Sequence, residues 1–290
     1  MRNRMKLKGS TALITGAASG IGFATAKNLA RRGAGIVLVD VNDAALERAR
    51  AELTAEGFAS RPCTLDITDD KAVTVLRDEL ASEGMVPEIL VNCAGVTLVA
   101  HVRETARQDW DRIIGVNVMG TINIIEAFLP ALLERKSGHI VNVGSIDGLL
   151  PIPSQAAYCA SKFAITGLTE VLYFDLRKCG IGVTLICPGM VSTPMAAAIP
   201  IRGLPTEFRG SGMVMRLVEA ISKTPERIAA HIVEAIEQKR FLVIPGWPSR
   251  AFYRFRRSFP RSATSLGVRV ASAFESVQRR AAAIPERIPA

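Results

Sequence analysis

The sequence predicts an α/β fold built on one doubly wound parallel sheet, in a single domain with a basic C-terminal extension. Three observations carry that expectation. Strand-length apolar runs alternate with helix-length segments through most of the 290 residues. The runs are rich in Val, Ile and Leu and mostly lack polar alternation, which is how strands buried on both faces of a parallel sheet read. A Gly-rich turn joins the first run to the first helical pattern.

Taken in order, strands are expected at residues 11–15, 36–40, 59–65, 89–92, 139–145, 182–187 and 241–244. Helical patterns fill 44–55, 71–82, 117–134 and 158–178, among others. Such β–α–β units cross over with a right hand, and ligands then bind at the carboxyl ends of the strands. Residues 190–223 carry Gly, Pro and Met without a clear period. They follow a strand end, so they are placed to close over the crevice.

Thr15-Gly16-Ala17-Ala18-Ser19-Gly20-Ile21-Gly22 lies between the first strand and an amphipathic helix. Its glycines let the backbone turn tightly and approach a pyrophosphate, and the helix N-terminus supplies N–H donors and a positive dipole end. The spacing is GxxxGxG, and its position after a strand and before a helix marks a Rossmann-type dinucleotide site. Asp40 closes the second strand, where an acid accepts from both ribose hydroxyls of NAD. It would repel a 2′-phosphate, and Val41, Asn42 and Asp43 offer no base to rescue one. The alternative role for Asp40 is to cap the helix that starts near Asp43.

Tyr158-Cys159-Ala160-Ser161-Lys162 sets a phenol and an ammonium four residues apart, on one face of a helix. The ammonium is expected to lower the phenol from its usual value of about 10, so that Tyr158 exchanges a proton with a carbonyl or alcohol oxygen. Ser145, at the end of the fifth strand, can hold the same oxygen as charge develops on it. Asn117 is expected to open a helix and to anchor a water chain to Lys162.

These residues resemble the short-chain dehydrogenase/reductase family, in its shorter single-domain form. The resemblance rests on Thr15–Gly22, Asp66, Asn92-Cys93-Ala94-Gly95, Asn117, Ser145, Tyr158-x-x-x-Lys162 and Pro188-Gly189, and it spans residues 7 to about 245. It implies a catalytic tetrad of Asn117, Ser145, Tyr158 and Lys162, with Lys162 also on the nicotinamide ribose. It implies further that Asp66 and Ile67 sit by the adenine. Asn92, Ala94 and Gly95 would line the cofactor, and Val191 and Thr193 would meet the carboxamide. With Gly16, Ser19, Gly20, Ile21, Gly22, Asp40, Pro188 and Gly189, these form the expected NAD site. Cys93 departs from the second Asn that the family often has. The resemblance also implies a homodimer or homotetramer, paired through the helices at 117–134 and 158–178.

The expected activity is hydride transfer between NAD and a secondary alcohol or ketone. Candidate pocket residues are Ile146, Asp147, Leu149, Gln155, Met190, Met195, Ile199 and Leu204. Most are apolar, which suits a lipophilic substrate of steroid, retinoid, terpene or long-chain type, though the same side chains could simply pack a lid. Two rival readings stand beside this one. The first is a catalytically silent dinucleotide-binding scaffold of the same fold. The second is a sugar-nucleotide epimerase, disfavoured by the Gly spacing and by the absence of a sizeable C-terminal substrate domain.

The five cysteines, odd in number and without a CxxC pair, read as reduced thiols, and the three scattered histidines form no metal-ligand motif. Each histidine reads as a surface or strand-edge imidazole. No signal peptide and no apolar stretch long enough to cross a bilayer is evident, so a cytoplasmic protein is expected. The net charge of +9 is concentrated at the end: residues 249–290 hold nine Arg, no Lys and two Glu. Residues 1–248 therefore read as the dinucleotide-binding and catalytic domain, and 249–290 as an Arg-rich extension. In that extension Phe252, Phe255 and Phe259 recur at helical spacing among arginines. Such a stripe can pack on the enzyme's own body or a partner subunit, or it can lie in a membrane interface. No recognition fold for nucleic acid accompanies it, so only nonspecific charge attraction is expected there.

Overall fold

The apolar runs become seven strands of one sheet. The computed structural model describes residues 4–202 and 222–282. The strands are β1 (Thr11–Thr15), β2 (Gly35–Asp40), β3 (Ser60–Thr64), β4 (Ile89–Asn92), β5 (Gly138–Val143), β6 (Ile181–Ile186) and β7 (Leu242–Val243). Their order is β3-β2-β1-β4-β5-β6-β7 and every pairing is parallel. The strand order reverses between β1 and β4, which opens a crevice at their carboxyl ends. The result is a Rossmann-type doubly wound domain.

The described helices are α1 (Gly20–Arg31), α2 (Asp43–Ala55), α3 (Asp70–Ser82), α4 (Arg107–Ile114), α5 (Thr121–Arg135), α6 (Ala156–Leu176), α7 (Pro194–Ala197), α8 (Pro225–Gln238), α9 (Trp247–Ser258) and α10 (Pro260–Ala282). Successive strand residues point to opposite faces. On one face Ile14, Ile36, Leu38 and Val91 pack with Leu29 of α1, Leu46 of α2 and Ile232 of α8. On the other, Leu13, Val37, Val39 and Leu90 pack with Leu76 of α3, Phe128 of α5 and Leu176 of α6. Both faces are dry, which is why the strands lack alternation in the sequence. Asn42 caps α2 and Asp69 caps α3, each accepting from a backbone N–H three residues on, at 3.0 Å.

Three expectations need correction. Asn117 does not open a helix. A π-helical stretch, Gly115–Gly120, joins α4 to α5, so Asn117 lies inside one continuous helix, Arg107–Arg135. Fusing the two segments also makes a helix long and apolar enough, by length and composition, to pass for a membrane span. Here Ile113, Ile124, Ile125, Phe128 and Leu132 bury its inner side in the core. Finally, His139 is neither at the surface nor at an edge, because β5 is a central strand and the ring is fully buried. The Thr184 hydroxyl donates to the Arg240 carbonyl at 2.6 Å, so it accepts from His139 Nε2 at 2.8 Å. That leaves Nδ1 unprotonated and without a hydrogen-bond partner among the described residues. Burial holds the imidazole neutral and pushes its pKa down to about 3.

Candidate active site

The first turn is shaped by close backbone packing. Gly16 and Gly20 have φ of +65° and +54°, a region that favours glycine. A Cβ on Gly16 would stand 2.9 Å from the Ala94 backbone, and one on Gly22 would overlap the Gly16 carbonyl. Thr15 Oγ1 accepts from the Cys93 and Ala94 N–H groups, both at 3.1 Å, and so ties the end of β1 to the segment after β4. Ser19 stands at the N-cap position of α1 in extended conformation and makes no side-chain cap bond. Ile21, at the start of α1, is partly buried against the core.

Asp40 Oδ2 accepts from the Ala18 N–H at 3.1 Å, and Oδ1 from the Asn42 N–H at 3.0 Å. Asn42, not Asp40, caps α2, so the carboxylate lies against the Gly-rich turn. Asp66 Oδ1 accepts from the N–H and hydroxyl of Thr68. The neighbouring Ile67 is buried, and its carbonyl accepts from Asn123. Asn92 faces Asn142 across β4 and β5 and donates to it at 2.8 Å, while its own Oδ1 is buried without a partner among the described residues. Thr193 caps the short α7 and lies against Gly20, where a Cβ would come within 3.1 Å of its methyl. Val191 is buried and bridges Lys223. The Pro188 carbonyl accepts from the Ile146 N–H at 2.8 Å, and Gly189 abuts Ser249 at the start of α9. The Gly-rich turn thus meets Asp40, the Cys93–Ala94 segment and Thr193, while the contacts of Asp66, Ile67, Pro188, Gly189 and Val191 are with other segments.

The expected tetrad converges beside this turn. Ser145 follows β5 by two residues, and its Oγ accepts from the Asp147 N–H at 3.1 Å. Its hydroxyl also bears on the Tyr158 phenol and favours the ionised form. Lys162 Nζ donates to the Val143 carbonyl at 2.9 Å and lies 5.7 Å from the Tyr158 ring centroid. A Cβ on Gly95 would stand 3.2 Å from Asn117 Oδ1 and 3.8 Å from Lys162 Nζ, so these groups meet at one point. Asn117 accepts from the Val96 N–H at 2.8 Å and donates to the Val96 carbonyl at 3.0 Å. It also donates to Ser161 Oγ at 2.9 Å, and Ser161 in turn donates to the Tyr158 carbonyl at 2.7 Å.

A family model described as short chain dehydrogenase matches residues 10–202, which contain the Gly-rich turn and all four tetrad positions. The chain belongs to the short chain dehydrogenase family. It is 34% identical to a probable oxidoreductase, EphD, of Mycobacterium tuberculosis over 87% of its length, and spans 43% of that relative. It is 36% identical to the oxidoreductase UcpA of Salmonella typhimurium, over 82% of this chain and 88% of the relative. A crystal structure of a short chain dehydrogenase/reductase from Burkholderia phymatum in complex with NAD superposes with a TM-score of 0.78. It is 34% identical and covers 88% of this chain and 95% of the other.

Within this short chain dehydrogenase the electrostatics differ from expectation in one respect. Burial pushes the Tyr158 phenol above its ordinary value, the nearby Asp147 carboxyl adds to the rise, and the Ser145 hydrogen bond opposes it. The net shift of the phenol is upward, not downward as expected, and Lys162 is not among its largest causes. The Lys162 ammonium is turned to the Val143 carbonyl, and burial lowers its own pKa. Tyr158 therefore stands as a neutral hydroxyl, able to donate a proton. Burial also raises Cys93 and Cys187 to about 12, so both thiols stay protonated and inert.

Around the tetrad, Ile146 and Leu149 pack into an apolar cluster with Ile165, Phe241 and Tyr253. Asp147 is buried and Gln155 is half-buried. Met190 and Met195 are exposed, Ile199 is partly so, and Leu204 lies outside the described residues. Two contributors escaped the sequence reading, the Thr15 clamp and the Ser161 bridge. Thr15 was readable only as part of the turn motif. Ser161 carries no signal, since helical serines often bond back to their own helix.

Proposed function

We propose that this dehydrogenase transfers a hydride between NAD and a secondary alcohol or ketone with a lipophilic body. The observation that carries the reading is the meeting of Ser145, Tyr158 and Lys162 at the carboxyl end of β5, beside Gly95 and the Gly-rich turn. The residues fit a dinucleotide: Gly16 and Gly22 leave no room for a Cβ, and Asp40 stands at the turn with no base in residues 41–43. That carboxylate favours NAD over NADP by repelling a 2′-phosphate. Bound nicotinamide would supply the hydride acceptor or donor.

The chain's own residues do the rest. Ser145 holds the substrate oxygen and Tyr158 gives or takes its proton. Lys162, held by the Val143 carbonyl, would contact the nicotinamide ribose. Asn117 acts as a positioning residue, through Val96 and through Ser161 to the Tyr158 backbone. The apolar surroundings of Ile146 and Leu149 support a lipophilic substrate. The test is a panel of secondary alcohols and ketones assayed with NAD and NADP. Net change in reduced-nicotinamide absorbance, larger with NAD, is expected. Tight NAD binding without turnover on any member would instead favour the silent scaffold.

In the same reading, residues 1–248 bind cofactor and substrate, and 249–290 form a basic extension. The exposed Phe163, Val171 and Phe174 of α6 support pairing into a homodimer or homotetramer. The extension supports a peripheral contact with an anionic membrane surface on the cytoplasmic side. Phe252, Phe255 and Phe259 remain 42%, 36% and 58% exposed among the described residues, so they do not pack on the enzyme's own described body. Their rings form a ladder with centroids 6.3 and 5.7 Å apart. No acid occurs from Trp247 to Ser272, while Arg250, Arg254, Arg256, Arg257, Arg261 and Arg269 do. Exposed aromatics interleaved with arginines complement anionic headgroups. Because α9 begins beside Gly189, such contact would set the site's mouth near the lipid. Cosedimentation with anionic but not neutral vesicles, lost on truncation after Pro248, is expected. Failure to sediment at low salt would transfer the stripe to a subunit contact.

A further inference from the structure

Two buried carboxylate oxygens lack a hydrogen-bond partner among the described residues, one on Glu104 and one on Asp147. Glu104 has Arg103 beside it, at 3.8 Å. Asp147 makes no ion pair among the described residues, and although the Ser145 hydroxyl bears on its carboxyl, Oδ1 is left unfilled; it stands two residues after Ser145 with 8% of its surface exposed. Its position is tightly set. Its N–H donates to Ser145 Oγ at 3.1 Å. Next to it, a Cβ on Gly148 would stand 2.5 Å from the Lys162 carbonyl, and Thr166 donates to the Gly148 carbonyl at 3.2 Å. The single turn Ile146–Gly148 is therefore clamped between Ser145 and α6.

The charges of Tyr158, Cys159 and Lys162 on α6 all act on or respond to this carboxyl. Burial raises it to about 6 against the Ser145 hydroxyl and, to a lesser extent, Lys162, so near neutral pH it is mostly ionised and accepts only. An unfilled buried acceptor carries a desolvation penalty that a donor on a ligand removes. An anionic ligand group is repelled. A cationic one meets the Lys162 ammonium. A neutral hydroxyl satisfies the oxygen without either cost.

We propose that Asp147 is a specificity-determining residue whose carboxylate accepts a hydrogen bond from a second hydroxyl of the substrate, one or two carbons from the reacting carbon. The preferred substrates are then 1,2- or 1,3-diols and the corresponding hydroxy ketones carried on an apolar body. This rests on the reading in which Ser145 and Tyr158 hold the reacting oxygen.

The experiment pairs a secondary alcohol with the vicinal diol of the same carbon skeleton, in wild type, Asp147→Leu and Asp147→Asn. A site built to accept from a hydroxyl rejects the analogue lacking it, so wild type should favour the diol by at least about 100-fold in kcat/KM. In Asp147→Leu the ratio of kcat/KM for diol over mono-alcohol falls toward one, mostly through KM for the diol, whatever change in kcat the two substrates share. Asp147→Asn, whose amide oxygen still accepts, retains part of the preference. NAD affinity, measured by calorimetry, stays constant across the three proteins and shows that they are folded. Equal kcat/KM for the pair in wild type, or an undiminished preference in Asp147→Leu, overturns the proposal, as does an equal loss on both substrates. If neither alcohol turns over, hydride transfer to these alcohols fails on its own. Calorimetric binding of the pair to NAD-loaded protein then still decides: tighter diol binding that Asp147→Leu abolishes supports the assignment, and equal binding refutes it.

Discussion

Acidification should destabilise the fold through His139. The folded imidazole titrates near 3 because burial opposes its charge and Nδ1 has no partner among the described residues. An unfolded histidine titrates at about 6.5. Between these values the unfolded chain binds the extra proton, so stability falls as pH falls. The contribution is complete above the unfolded value and is lost progressively on the way down to the folded one. At pH 5 the gap is about 1.5 pH units, worth about 2 kcal/mol at ~1.36 kcal/mol per unit. His139→Gln removes the titration while keeping a side-chain N–H that can reach Thr184. The variant should lose about 1–2 kcal/mol at pH 8 through imperfect packing and hydrogen bonding. That deficit should shrink or vanish at pH 5, because the variant escapes the protonation penalty. Urea unfolding of both proteins at pH 8 and pH 5, at one protein concentration, measures it. Exposed carboxylates paired with Arg or Lys contribute equally to both proteins and cancel. A deficit that stays the same at the two pH values would refute the neutral, buried assignment.

Other expectations follow from the same geometry. Asp40→Ala removes the charge facing a 2′-phosphate and should narrow the NAD-over-NADP ratio of kcat/KM by about tenfold or more; wild-type preference for NADP would contradict the role given to Asp40. Gly148→Ala forces a methyl against the Lys162 carbonyl and should displace Ser145 and Asp147 from Tyr158. Steady-state kinetics should show kcat down roughly 100-fold, with NAD affinity little changed. Light scattering at micromolar concentration should give a multiple of the 31.2 kDa chain mass, and a mass of one chain alone would refute pairing through α6.

Much of the frame was legible because burial on both faces leaves an unbroken apolar signature. β1 and β4 begin and end where their apolar runs do. The Gly-rich turn was legible because Gly16 and Gly22 answer to backbone contacts that no other residue permits. Tyr158 and Lys162 were legible from helical spacing. What was hidden depends on tertiary neighbours. The π-helical stretch at Asn117 has no local marker, since its side chain is drawn to Val96, twenty-one residues earlier in the chain. The burial of His139 depends on which strands flank β5. The shift of the Tyr158 phenol depends on its burial and on the nearby Asp147 carboxyl, and spacing along a helix says nothing of either. The ribose or cap choice for Asp40 required seeing that Asn42 takes the cap.

Replacing the Tyr158 hydroxyl alone tests the central claim most directly. Tyr158→Phe keeps the ring and removes only the proton that the mechanism moves. On the best alcohol or ketone with NAD, kcat should fall by about 100- to 10,000-fold, the range of a lost general acid or base. NAD binding, followed by calorimetry on the same protein, should remain within about threefold, since phenol and cofactor affinity are separable. Turnover within tenfold of wild type, or an equal collapse of NAD binding, would contradict the role assigned to Tyr158.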